Sequence, residues 1–253
     1  MQIKTVVIQV TTRCPLNCPQ CYMHRYGENM SFKTACFSVD EAKNLGAKMI
    51  QFTGGEPLCY TDLCQAVKHA AKQGLLTAVS TSGCGLDAEA AKSLQKNGLT
   101  ALCVSLNGSC KEVNDYSRCG FEYALQAIKH AKSVGLLTFI NFVARQDNIF
   151  DLKNLIELAK NNGVFAVNIL KNSKNSFGEL ASALDNQGFA VLHELKARHG
   201  DFINIENCFF NKQCDAMKSM YFVNVDGTYS PCSRCDTVKK DNLLKIKLLQ
   251  RYC

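Results

Sequence analysis

The strongest limit on the fold is an alternation of short apolar runs, rich in β-branched residues, with segments of helical periodicity. The runs are Lys4-Thr-Val-Val-Ile-Gln-Val-Thr11, Met49-Ile-Gln-Phe52, Gly74-Leu-Leu-Thr-Ala-Val-Ser-Thr81, Thr100-Ala-Leu-Cys-Val-Ser-Leu106, Leu136-Leu-Thr-Phe-Ile-Asn-Phe-Val143 and Val164-Phe-Ala-Val-Asn-Ile-Leu170. Runs of this length and composition read as buried strands. Helical periodicity covers Asp62 to Gln73, Ala88 to Lys96, Phe121 to Val134, Leu152 to Asn161 and Asp185 to Arg198. Ser38-Val-Asp-Glu41 reads as a capping box opening a further helix. Strands and helices in strict alternation predict parallel βα units. An internal echo agrees: His69-Ala-Ala-Lys-Gln-Gly-Leu-Leu-Thr77 resembles His130-Ala-Lys-Ser-Val-Gly-Leu-Leu-Thr138. Each copy is a helix end, a glycine stop and a strand start. Its histidine sits where a cation complements the helix dipole, so both are read as structural.

The loop leaving the first strand, Thr12-Arg-Cys-Pro-Leu-Asn-Cys-Pro-Gln-Cys-Tyr22, carries cysteines at Cys14-x3-Cys18-x2-Cys21. Parallel α/β folds build their sites at the C-terminal ends of strands. Thiolates this close bind soft metals, and an all-cysteine set suits zinc or an iron–sulfur cluster. Three local ligands leave one iron of a four-iron cubane open. The second strand closes on Thr53-Gly54-Gly55-Glu56-Pro57, where glycines let backbone approach a ligand closely. Half a zinc site would explain the cysteines alone, and ordinary loop composition the glycines alone. Together, each at a strand exit, they bracket one βα unit.

This pair of motifs resembles the signature of the radical S-adenosylmethionine (SAM) superfamily. The resemblance implies an α/β fold, a partial (βα)6 TIM-like barrel, with its site at the C-terminal mouth. It implies a [4Fe–4S] cluster on Cys14, Cys18 and Cys21, with SAM chelating the open iron. Tyr22 holds the aromatic position after the third cysteine. Gly54 and Gly55 would admit the methionine end of SAM, and Glu56 would help bind its ammonium. Polar SAM contacts near the ends of strands three to five are implied at Ser80, Ser105, Asn107 and Asn141. Many relatives carry Asp where this chain has Asn107. Arg118, within Asn114-Asp-Tyr-Ser-Arg-Cys-Gly120, resembles an arginine directed at the SAM carboxylate. Each of these polar residues also suits an ordinary turn. Cys59, Cys84, Cys110 and Cys119 read as small, partly buried residues, with a redox or substrate-linking thiol as the alternative.

After Cys119 the next cysteines are Cys208, Cys214, Cys232, Cys235 and Cys253. Tyr221-Phe-Val-Asn-Val-Asp-Gly-Thr-Tyr-Ser-Pro231 reads as a β-hairpin turning at Asp226-Gly227, able to bring Cys214 and Cys232 together. A zinc ribbon is one reading of this group. Cys214-x12-Gly227-x4-Cys232 also resembles the opening of the auxiliary-cluster subdomains called SPASM and, when shortened, Twitch. That resemblance implies a barrel over 1–200 and a small C-terminal Cys-rich β-hairpin subdomain over 201–253 with one auxiliary [4Fe–4S] cluster. Cys208, Cys214 and Cys232 are the expected ligands, Cys235 the expected fourth and Cys253 its alternative.

The composition, 253 residues with 47% hydrophobic and 20% charged, is that of a globular chain with a substantial core. Neither a membrane span nor a signal peptide is read in it, so a cytoplasmic location is expected. Fifteen cysteines in that compartment point to clusters and free thiols rather than disulfides. The net charge of +7 is spread without a long Lys/Arg run, which disfavours a nucleic-acid partner. The family chemistry implies an external electron donor such as flavodoxin or ferredoxin, reductive cleavage of SAM, and hydrogen abstraction from a substrate. Relatives with auxiliary clusters imply oxidative modification of a ribosomally synthesised peptide, by a thioether or a carbon–carbon crosslink. The rival enzyme is a small-molecule dehydrogenase or a cofactor-biosynthesis enzyme. The rival from another class is a non-enzymatic iron–sulfur or zinc protein for binding or electron transfer.

Overall fold

The computed structural model describes residues 3–23, 26–173, 183–206, 209 and 219–233. In chain order the first elements are β1 (Thr5–Thr11), α1 (Phe32–Asn44), β2 (Met49–Gly54), α2 (Leu63–Lys72), β3 (Leu76–Thr81), α3 (Ala88–Lys96) and β4 (Ala101–Ser105). There follow α4 (Lys111–Asp115), α5 (Phe121–Ser133), β5 (Leu137–Ala144), α6 (Leu152–Asn161), β6 (Ala166–Lys171) and α7 (Asn186–His199). The last strands are β7 (Ile203–Ile205), β8 (Met220–Val223) and β9 (Tyr229–Ser230). Among the described residues they form one nine-stranded sheet in the order β7-β6-β5-β4-β3-β2-β1-β8-β9. Every neighbouring pair is parallel except β8–β9. Among the described residues the sheet stays open, with β7 and β9 as its edges. The expected partial barrel is therefore present.

Side chains alternate across a strand, and the two faces here have different fates. Val6, Ile8, Val10, Ile50, Phe52, Val79, Leu102, Val104, Ile140, Phe142, Val167 and Ile169 are fully buried. They join one apolar cluster with Val39, Ala42, Ala66, Ala70, Ala91, Ala127, Ala131 and Ile156 of the helices. The alanines let the helix backbones lie close to the sheet. Each large side chain buried there stabilises the fold by roughly 1.5–3 kcal/mol. The alternate residues, Val7, Gln51, Ala78, Ser80, Cys103, Phe139 and Asn141 among them, face the other way and line a cavity. The core thus lies between sheet and helices, which leaves the inner face free to carry a site.

The echoed segments end as predicted, with Gly74 at φ +72° and Gly135 at φ +75°. That left-handed conformation suits glycine at a helix stop. His69 Nε2 lies 2.7 Å from Asp40 Oδ1, tying α2 to α1. Among the described residues no helix is long and apolar enough to cross a membrane.

Three details differ from the sequence reading. The first helix begins at Phe32, not at Ser38. Ser31 caps it, its Oγ accepting from Thr34 N at 3.0 Å. Ser38 lies inside α1, buried, with its hydroxyl donating to the Thr34 carbonyl oxygen at 2.9 Å. It has the spacing of a capping box but an interior position. We expect Ser31→Ala to cost about 1 kcal/mol and Ser38→Ala markedly less, read as shifts in the urea denaturation midpoint. Second, the sheet gains β7, a three-residue strand too short to register as an apolar run. Third, the predicted hairpin, which forms with Gly227 at φ +81° in its turn, joins the main sheet. Its first strand pairs parallel with β1, from Thr5↔Met220 to Ile8↔Val223. The Tyr229 hydroxyl donates to Glu41 of α1, and the Tyr221 and Tyr229 rings meet edge-on at 5.8 Å. Both β7 and the hairpin therefore continue the sheet of residues 5–171.

Candidate active site

The inner face and the C-terminal strand ends enclose a cavity of about 590 Å³. Cys14, Cys18 and Cys21 line it, together with Tyr22, Gly54, Gly55, Ser80, Ser105, Arg118 and Asn141. Cys232, just beyond β9, opens on the same cavity. Segments more than two hundred residues apart converge there because β8 pairs directly with β1. Glu56 and Asn107 do not line the cavity. The remaining expected ligands, Cys208, Cys214 and Cys235 with the alternative Cys253, lie outside the described residues.

The cysteine loop is clamped from several sides. Gly55 N donates to Thr11 O at 2.8 Å and Glu56 N to Arg13 O at 2.7 Å, locking the β2 exit against the β1 exit. Gln20 N donates to Ser117 O at 3.2 Å, and Cys119 Sγ donates to Asn17 O at 3.5 Å. Arg145 adds a contact that sequence reasoning missed. Its side chain is only 2% exposed and pairs with Asp147, Nε donating to Oδ1 at 2.9 Å. Its Nη1 donates to Gln20 Oε1 at 3.1 Å, between Cys18 and Cys21, and its guanidinium lies 5.7 Å from the Tyr116 ring centroid. The only local signal was a basic residue at the exit of a strand, with an aspartate two places on. Arg145→Met should destabilise the protein by about 3 kcal/mol by breaking a largely buried ion pair, and should lower the iron retained on reconstitution. Chemical denaturation and iron content measure the two effects.

Burial pushes the Cys18 thiol up from its ordinary pKa, and the Arg118 guanidinium opposes that shift. Arg118 Nε is itself buried with no hydrogen-bond partner among the described residues. A partly buried guanidinium on the wall of a cavity that also carries three thiols fits an anionic ligand. No three of His, Cys, Asp and Glu among the described residues converge on a point where one metal ion would sit. A cubane spreads its thiolates over separate irons and does not require such convergence. The donor set therefore fits a three-thiolate cluster with a carboxylate-bearing ligand next to Arg118.

Glu56 is fully buried, and both carboxylate oxygens are engaged. Oε1 accepts from Thr81 Oγ1 at 2.6 Å and Leu58 N at 3.2 Å. Oε2 accepts from Ser82 N at 2.8 Å and Ser82 Oγ at 2.5 Å. Burial pushes its carboxyl up while these four donors pull it down. Glu56 thereby fastens the β2 exit to the β3 exit, where Thr81 and Ser82 line the cavity. Asn107 is likewise fully buried, its Nδ2 donating to Ser117 Oγ at 3.1 Å and its Oδ1 accepting from Val143 N at 3.0 Å. It joins the β4 exit to β5 and to the loop that carries Arg118. Ser80 Oγ accepts from Gln51 Nε2 at 2.5 Å. The glycines of the β2 exit are required by the neighbouring chain. A Cβ on Gly54 would meet Thr11 O at 2.6 Å, and one on Gly55 would meet Arg13 O at 2.3 Å.

A family model described as the radical SAM superfamily matches residues 8–164. An Fe-coproporphyrin III synthase from Methanosarcina barkeri is 30% identical over 160 residues, covering 60% of this chain and 40% of that protein. The chain thus spans two fifths of the length of this curated relative. Streptococcus suis SuiB bound to the precursor peptide SuiA is similar in structure, with a TM-score of 0.79 at 16% identity, covering 97% of this chain and 64% of that one. Native anSMEcpe with bound AdoMet and Cp18Cys peptide gives 0.72 at 16% identity, covering 99% of this chain and 80% of that one. At such identities the two structures speak to the fold alone.

Proposed function

Because this chain belongs to the radical SAM superfamily, we propose that it cleaves SAM reductively and oxidatively modifies a ribosomally synthesised peptide. The observation that carries this reading is one cavity lined by three thiols of a single loop and by Arg118, whose Nε is buried without a hydrogen-bond partner among the described residues. When bound, a [4Fe–4S] cluster and SAM supply a 5′-deoxyadenosyl radical able to take a hydrogen atom from a substrate. Cys14, Cys18 and Cys21 would hold three irons. Arg118 would bind the SAM carboxylate through a charge-assisted hydrogen bond. Tyr22, the Gly54–Gly55 backbone, Ser80, Ser105 and Asn141 would orient the rest of the molecule. Glu56 and Asn107 act through others, as positioning residues that brace Thr81, Ser82 and the Arg118 loop. The apolar floor, with Val7, Ala78, Ala101 and Phe139, keeps water from the reacting atoms.

One auxiliary [4Fe–4S] cluster on Cys208, Cys214, Cys232 and Cys235, with Cys253 as alternative fourth ligand, belongs to the same proposal. Its support is the position of Cys232 on the shared cavity. Such a cluster suits a reaction whose substrate gives up an electron, and an external donor such as flavodoxin or ferredoxin in the cytoplasm would start each turnover. The peptide reading is supported by fold likeness to SuiB with SuiA and to anSMEcpe with Cp18Cys peptide. A second reading, modification of a tetrapyrrole, is supported by the 30% identity to the Methanosarcina protein. Anaerobic reconstitution with iron and sulfide, then dithionite and SAM, tests the common premise. Chromatography should find 5′-deoxyadenosine and methionine in equal amounts, and their absence would overturn it.

A further inference from the structure

Asn141 on β5, Asn168 on β6 and Asn204 on β7 stand in one register row across the parallel sheet. Their side chains form a ladder. Asn168 Nδ2 donates to Asn141 Oδ1 at 2.9 Å, and Asn204 Nδ2 donates to Asn168 Oδ1 at 3.1 Å. Ser105 on β4 continues the row beside Asn141. All four residues line the cavity. Asn204 is exposed, on an edge strand, so the row runs from the open side of the barrel inward.

A carboxamide offers two N–H donors and two acceptor sites. Within the ladder Asn168 uses one of each, leaving one donor and one acceptor for a ligand. Neighbouring strands lie about 4.8 Å apart, so the row presents neutral donor–acceptor pairs at a regular short interval. Amide groups, which pair one donor with one acceptor, match such a row, whether they come from a peptide backbone or from carboxamide side chains. The charge of the cavity points the same way. Among the described residues its charged lining groups, apart from Arg118, are Lys171 and Glu206, with Glu206 Oε2 accepting from Lys171 N at 2.9 Å. A tetrapyrrole bearing several carboxylates would meet one lysine with a glutamate beside its backbone.

Resting on the radical SAM reading above, we propose that Asn168 and Asn204, held in line by Asn141, bind the amide groups of an uncharged peptide segment entering at the β7 edge. The row leads that segment toward Ser105 and the cysteine loop. Specificity for a neutral polar stretch then resides in β5 to β7, opposite the strands that carry the cysteines.

The test uses synthetic random peptide pools, one uncharged, one rich in acidic and one rich in basic residues, with iron-coproporphyrin III as a fourth probe. Retention by the anaerobically reconstituted protein on gel filtration is measured beside 5′-deoxyadenosine formation. The wild type should retain the uncharged pool. Asn168→Leu should raise the concentration for half-retention about tenfold, the effect of one or two lost hydrogen bonds. Asn168→Asp should shift retention toward the basic pool, a change that a merely structural role would not produce. Should Asn168→Leu fail to fold, Asn204→Leu at the exposed rim gives the same readout. Equal retention by wild type and variants, preference for the acidic pool, retention of iron-coproporphyrin III alone, or no retention at all would each overturn the proposal. If 5′-deoxyadenosine forms but retention is unchanged in the variants, only the asparagine row is refuted. If it never forms, the radical SAM reading itself fails.

Discussion

Replacing Cys14, Cys18 and Cys21 together with alanine is expected to abolish 5′-deoxyadenosine formation and to remove about four irons per chain. The chain should nevertheless stay folded. The three thiols are only half-buried and belong to the cavity, while the apolar core lies on the opposite face of the sheet. The backbone hydrogen bonds that shape the loop, Cys21 N to Cys18 O at 3.1 Å and Gln20 N to Ser117 O at 3.2 Å, do not need the thiols. Thermal melting of the metal-free protein should therefore change little, whereas iron and activity change completely. The same variant divides the two cluster proposals. About four irons left on the chain would support a second cubane at Cys232 and its partners. Complete loss of iron would remove the auxiliary cluster and leave the first site standing.

Much of the barrel is legible in the sequence because one face of each long strand is mostly apolar, broken only by small threonines such as Thr77 and Thr138. Ile140 and Phe142 on β5 and Val167 and Ile169 on β6 are buried against helices whose own stripes are periodic. What escaped was short or distant. β7 is three residues, Ile203–Ile205, and α4 is five, too few for either period to emerge. The hairpin was readable from Asp226-Gly227, but its pairing with β1 was not, since no local pattern encodes which edge a strand will join. Residue type alone also failed to separate lining groups from bracing ones. Glu56 and Asn107 have the chemistry of ligand contacts, yet at these strand exits they turn inward and join neighbouring loops. Ser105 and Asn141, two strands' worth of similar polar residues, turn toward the cavity. Arg145 is the plainest case, because its contact to Gln20 spans 125 residues. The fold brings the two together; nothing near either residue announces it.

Gly55→Ala should be the most damaging single substitution in the site, and for a reason of space rather than backbone conformation. Its φ is not among the positive ones of this chain. A Cβ there would lie 2.3 Å from Arg13 O and 2.8 Å from both Arg13 C and Thr12 O. All three are backbone atoms, so no rotamer change can relieve the overlap. The β1 and β2 exits must separate, which breaks the hydrogen bonds from Gly55 N to Thr11 O and from Glu56 N to Arg13 O. Overpacking of this kind costs about 3 kcal/mol. The displacement also reaches Arg13, the residue before Cys14, so the first thiol is carried off its place on the cavity. We expect retained iron to fall by more than half and 5′-deoxyadenosine formation to drop below about a tenth of wild type, a loss of more than about 1.4 kcal/mol in transition-state stabilisation. Gly46→Ala supplies the control. Gly46 has φ +84° but nothing within 4 Å of its would-be Cβ, so alanine there costs about 1 kcal/mol in backbone strain and leaves iron and activity intact. If the two variants lost stability equally and kept equal iron, the close approach of the β1 and β2 exits would not be what holds the cysteine loop in register.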